Sequence, residues 1–139
     1  MIPYESVLDL IGNTPLVDVS RLSPNPNVRI IAKLENQNPF GSVKDRIAKA
    51  MVEDAEKHGR LLPGQTIVEP SSGNTGIALA AIAQIKGYPI KILMPTSVSI
   101  ERRQMLDIFG AEVILTPGEE GSNGAVARAI EMAKQNPDW

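Results

Sequence analysis

Apolar and polar positions are grouped in a repeating order along the second half of the chain. From Thr66 onward a short apolar run, a loop rich in Gly or Ser, and about 12 residues of helical spacing follow one another three times. The first unit predicts a strand over 66–69 and a helix over 75–86, which Gly87 closes with Pro89 soon after. The second predicts a strand over 90–94, then Pro95 and a polar stretch, then a helix ending near Phe109, where Gly110 can take the left-handed conformation. The third predicts a strand over 112–115 and a last helix, capped by Ser122 or Asn123, that runs to about Gln135 and stops before Pro137. Strands that alternate with helices imply an α/β protein with a parallel, twisted sheet flanked by helices.

Ahead of these units, residues 28–34 predict a strand. Residues 42–58 predict a helix with Ile47, Met51 and Ala55 on one face, ended by Gly59. Residues 12–15 form a tight turn before a short apolar run at 16–19, and 23–27 is a Pro and Asn loop. No internal repeat is present. Trp139 closes the sequence just after a helix, whereas a βαβ unit returns its helix to another strand. Truncation is therefore expected, with a leading segment of about 1–38 and an α/β domain of about 39–139; a domain that ends naturally in a helix is the alternative.

With 139 residues, 42% of them hydrophobic and 22% charged, the chain has the size and apolar content to bury a single core. A net charge of -2 with mixed signs gives no electrostatic footprint for nucleic acid or an anionic membrane. No apolar run approaches the roughly 20 residues of a membrane span, so a soluble, cytoplasmic protein is expected. Cysteine is absent and His58 stands alone, which leaves no thiolate chemistry and no expected metal site.

Two constellations remain. Lys44 lies in the first turn of a predicted helix, after the loop Asn38-Pro39-Phe40-Gly41-Ser42-Val43. The positive end of the helix dipole disfavours a charged lysine there, and a neutral lysine is a nucleophile toward carbonyl groups. The alternative is a solvent-facing lysine paired with Asp45 or Glu35. The second constellation, Glu69-Pro70-Ser71-Ser72-Gly73-Asn74-Thr75-Gly76, joins a strand to a helix at the edge where open α/β sheets bind ligands. Its glycines, free N–H groups and hydroxyls would cradle a carboxylate or phosphate, and Asn74 would donate to a ring oxygen. An ordinary βα turn fits the same residues. It is neither a Walker A loop nor a dinucleotide fingerprint. The run 101–103 is expected to be a solvated helix face, His58 a dipole partner, and Glu119 with Glu120 a solvated turn.

Taken together, Ile11-Gly12-Asn13-Thr14-Pro15-Leu16-Val17, the run Asn38 to Arg46 and the run Glu69 to Gly76 resemble the successive signatures of the cysteine synthase and cystathionine β-synthase family. Met94-Pro95, Ser99-Ile100-Glu101-Arg102-Arg103 and Phe109-Gly110-Ala111-Glu112 extend the resemblance to nearly the whole chain. Within the family the likeness is greatest to O-acetylserine sulfhydrylases of the cysteine synthase B type. The resemblance implies part of the type II fold of pyridoxal-phosphate enzymes, which is tryptophan synthase β-like, with pyridoxal 5'-phosphate as cofactor. By position Lys44 matches the Schiff-base lysine and proton carrier, and Asn74 the cofactor's hydrogen-bonding asparagine. Ser71, Ser72, Gly73 and Thr75 match the loop that grips the substrate carboxylate; the family often has Thr where this chain has Ser71. It also implies O-acetylserine or O-phosphoserine as substrate, a sulfur donor, a homodimer and serine acetyltransferase as a protein partner. The family's Gly/Thr-rich phosphate loop has no counterpart in these residues, so weak cofactor binding by the chain alone is expected. The other readings are a related β-replacing or eliminating enzyme and a non-catalytic anion-binding module.

Overall fold

The computed structural model describes residues 3–139. In chain order these form β1 (Leu16–Asp18), β2 (Ile31–Lys33), α1 (Lys44–Lys57), β3 (Ile67–Glu69), α2 (Asn74–Lys86), β4 (Ile90–Pro95), α3 (Ile100–Ile108), β5 (Glu112–Thr116) and α4 (Gly121–Gln135). Strands β3, β4 and β5 build a parallel sheet in that order, with Ile67 opposite Ile90 and Lys91 opposite Glu112. The expected α/β architecture is therefore present.

Alternation along β4 divides the core between the two faces of the sheet. Ile90, Ile92 and Met94 pack with residues of α1, α2 and α3. Leu93, one step out of phase, packs with Ala125 and Ala129 of α4. A central parallel strand is covered on both sides, which is why β4 is apolar at every position but Lys91. Helix α2 is buried nearly all round, from Ala78 to Ala83, because it lies against both the sheet and α1, and its alanines let both approach closely. Gly87 (φ 79°) and Gly110 (φ 70°) end α2 and α3 in the left-handed conformation expected of them.

The structure departs from the sequence expectations in three places. The strand predicted over 28–34 is reduced to Ile31–Lys33, paired antiparallel with β1. A strand lasts only as long as its partner, and beyond Asp18 the partner passes through Val19, which still donates to the Ile30 carbonyl, into a 3-10 turn at Ser20–Leu22. On α1 the buried face is Asp45, Ala48 and Val52, while Ile47 and Met51 are exposed. Helical spacing offers both stripes; contact with α2 selects the one carrying the small Ala48. Finally, neither Ser122 nor Asn123 caps α4. The helix starts at Gly121, entered from the 3-10 turn Gly118–Glu120; the non-helical residue at that entry is Gly121 itself (φ 55°, ψ -148°), which has no side chain to act as a cap.

Candidate functional site

The loop that leads into α1 is held from two sides. On one, the buried Asn38 accepts from the Gly12 N–H through Oδ1 (2.8 Å), and its Nδ2 donates to the Glu35 carbonyl (2.8 Å) and to Glu35 Oε2 (2.9 Å). Arg46 grips the same carboxylate bidentately, with Nε to Oε2 at 2.8 Å and Nη2 to Oε1 at 2.9 Å, and Nη2 also donates to the Gly12 carbonyl. The Thr14 hydroxyl donates to Glu35 Oε1 at 2.9 Å. Arg46 foremost, against some desolvation, holds the Glu35 carboxyl down to about 2, with further help from Asn38 and Thr14.

On the other side stands Asp45, completely buried. Its Oδ2 accepts from the Phe40 N–H at 2.7 Å and its Oδ1 from the Ser42 hydroxyl at 3.5 Å, which folds the loop back onto the start of the helix. Burial pushes the Asp45 carboxyl up, against the lowering effect of these hydrogen bonds. Lys44 is exposed at the first position of α1, its backbone N–H donating to Ser42 Oγ at 3.1 Å. The pairing of Lys44 with Asp45 or Glu35 is therefore not what the structure contains, because both acids are committed to other donors.

The second constellation forms one turn at the carboxyl end of β3. Gly73 is extended (φ -96°, ψ -165°) and precedes α2 without a side-chain cap, so the first N–H groups of the helix have no side-chain acceptor. Ser71, Ser72, Gly73 and Thr75 are half-buried and Asn74 is exposed. The Gly73 N–H donates to Ser71 Oγ at 3.3 Å. Gly76 is required by close approach, since a Cβ at that position would lie 2.0 Å from the Ser71 carbonyl oxygen. Glu69, just before the turn, is half-buried, and its carboxyl is pushed up by that burial.

Ser71 to Thr75 are thus brought together in one turn, while Lys44 stands on a separate helix, with no hydrogen bond between the two among the described residues. Helices α1 and α2 are tied near their C-terminal ends, where Glu56 accepts from Lys86 Nζ (2.7 Å) and from the Tyr88 hydroxyl (3.0 Å). A cavity of about 300 Å³ near β3 is lined by Met51, Val52, Glu69, Leu79 and Trp139, and by neither Lys44 nor any residue from Ser71 to Thr75.

The run 101–103 differs from expectation. Arg102 Nη1 donates to the Ser72 carbonyl at 3.0 Å, and Arg103 Nη2 donates to the carbonyls of Thr96 (2.6 Å) and Val98 (3.1 Å). Glu101 and Arg102 are exposed as expected, although Arg102 also bonds a carbonyl of the neighbouring turn, whereas Arg103 is half-buried. The signal for Arg102 was topological: adjacent parallel strands place their βα loops side by side, so the start of α3 lies next to the turn before α2. Among the described residues no cluster of metal-ligating side chains exists, and no helix is long and apolar enough to cross a membrane.

A family model described as pyridoxal-phosphate dependent enzyme matches residues 7–139. A curated cysteine synthase from a Flavobacterium species is 50% identical over 135 residues, covering 97% of this chain and 44% of its own. Among solved structures, O-acetyl serine sulfhydrylase isoform 3 from Entamoeba histolytica superposes with a TM-score of 0.92 at 41% identity, over 99% of this chain and 42% of that one. An O-ureido-L-serine synthase gives a TM-score of 0.90 at 44% identity, over 96% of this chain and 42% of that one. The chain spans less than half the length of the relatives it matches.

Proposed function

The chain belongs to the pyridoxal-phosphate dependent enzymes, and from that premise we propose that it is the N-terminal, lysine-bearing portion of a cysteine synthase, which converts O-acetylserine and sulfide to cysteine and acetate. Its α/β architecture is that of part of the type II fold. The donor set fits the cofactor: a primary amine at a helix start, and beside a second helix start a turn rich in hydroxyls and backbone N–H groups.

In this reading Lys44 would hold pyridoxal 5'-phosphate through Nζ, and the same amine would take the proton from the substrate α-carbon as general base. Asn74 would donate its side-chain amide to the cofactor's ring oxygen. Ser71, Ser72 and Thr75, with the Gly73 N–H, hold the substrate carboxylate at the positive end of α2. When bound, the cofactor supplies an electron sink for the charge that develops at the α-carbon. Asp45 and the Glu35 network fix the loop from behind, so the amine starts from a rigid helix end.

The observation that carries the proposal is the fate of the two acids beside Lys44. Each is occupied by other donors, which leaves the amine without a neighbouring carboxylate to hold it as an ion pair. Borohydride reduction in the presence of pyridoxal phosphate tests it. We expect one dominant labelled peptide, carrying Lys44, and its loss in Lys44→Ala. Labelling scattered over surface lysines and unchanged by that substitution would refute the assignment. Anion binding with no labelling would favour the non-catalytic module.

The likeness to an O-ureido-L-serine synthase favours, as second reading, a β-replacing enzyme with another nucleophile. A homodimer, association with serine acetyltransferase and a cytoplasmic location complete the proposal for the whole enzyme, with O-phosphoserine the alternative to O-acetylserine.

A further inference from the structure

The peptide joining Ser72 to Gly73 is held at both ends. Its carbonyl oxygen accepts from Arg102 Nη1 at 3.0 Å, and its N–H donates to Ser71 Oγ at 3.3 Å. The two bonds differ in what they can yield. A trans peptide directs its C=O and N–H in opposite directions, so whatever fixes the oxygen also aims the hydrogen. The hydroxyl bond is long and neutral, and a carboxylate offers Gly73 a stronger acceptor. The guanidinium bond is charge-assisted and comes from a different element, the first turn of α3. It can therefore persist while the N–H changes partner. The same Nη1 would lie 3.9 Å from a Cβ at Gly73, which places a positive charge beside the turn without closing it.

We infer that Arg102 is a positioning residue for the carboxylate-gripping turn: it fixes the Ser72–Gly73 peptide from α3 and so presents the Gly73 N–H to an incoming amino-acid carboxylate. The inference rests on the carboxylate role proposed for this turn and adds a residue outside it. Because Arg102 acts through the peptide, its loss should weaken binding and leave the fold intact, since its side chain is exposed.

The test is amide NMR on the 139-residue chain and its Arg102→Ala and Arg102→Lys variants, with L-serine as the carboxylate probe. In the wild type the Gly73 amide is expected to move on titration. Arg102→Ala should weaken the titration about three- to tenfold, the net scale of one ordinary hydrogen bond, as befits a solvent-exposed pair, and Arg102→Lys should restore part of it. Without probe, Gly73 should exchange its amide hydrogen faster in Arg102→Ala than in Arg102→Lys, with thermal midpoints unchanged. Equal titrations in wild type and Arg102→Ala overturn the inference alone. A wild-type Gly73 amide indifferent to L-serine overturns the carboxylate role of the turn, and the inference with it.

Discussion

At Glu35 the side chains of Arg46, Asn38 and Thr14 converge on one carboxylate, Thr14 from the first signature run and Asn38 and Arg46 from the two ends of the second. That convergence makes the residue a pH-dependent strut. Its carboxyl sits at about 2 in the fold against an ordinary value of 4.5. A carboxylate with a depressed folded-state pKa contributes stability in full above its unfolded value and loses it as pH falls toward the folded one. Acid titration followed by circular dichroism should therefore show wild-type stability declining between pH 4.5 and about 2. Glu35→Gln should be less stable near neutrality and flatter across that window; an unaltered acid limb would exclude the role. The sequence displayed Glu35 and Lys44 close enough to be paired, but whether the acid took Lys44 or Arg46 depended on the helix. Two residues further along α1, Arg46 faces Gly12 and Thr14, and Lys44 does not.

Among the elements, α2 was the most legible and α1 the least. Helix α2 is apolar all round, ends at a glycine and follows a Gly-rich turn, and each of those signals is local. Even so, one requirement was not visible in the sequence: the backbone of Ser71 folds back against Gly76 so closely that no side chain fits. Gly76→Ala should cost about 1–3 kcal/mol, as overpacking does, and displace the turn. Urea denaturation should show the loss, and L-serine binding should weaken in parallel; a fully stable Gly76→Ala with normal binding would contradict this geometry. For α1 the period places Ile47, Met51 and Ala55 on one face, but the buried stripe is the one with Ala48, although Ile47 and Met51 are larger and more apolar. Proximity to α2 favoured the small residue. Similarly, α4 lacks its expected side-chain cap because the non-helical residue at its entry is Gly121, which carries no side chain.

Across the whole molecule, the sheet and its layers present the turn at Ser71 to Thr75 on the edge where α/β proteins bind ligands. The relatives are more than twice as long, and no Gly-Thr-Gly-Gly run for a phosphate occurs in these 139 residues. The 139-residue chain should therefore retain pyridoxal phosphate weakly. Joining it to the remaining portion of a cysteine synthase should tighten retention by at least about tenfold, because a dianionic phosphate gains its anchor; absorbance titration measures the change, and equal retention would refute it. Local pattern alone determined the order of strands and helices, the parallel sheet, the glycines that end α2 and α3, and the two signature loops. Those features depend on periodicity, backbone freedom and short-range chemistry, all written within a few residues of one another. Tertiary structure alone decided which stripe of α1 is buried, which partner Glu35 takes, and that Arg102 reaches across from α3 to Ser72. Each of these is a choice between partners far apart in sequence, and such a choice is settled only when packing brings one of them within hydrogen-bond or van der Waals distance.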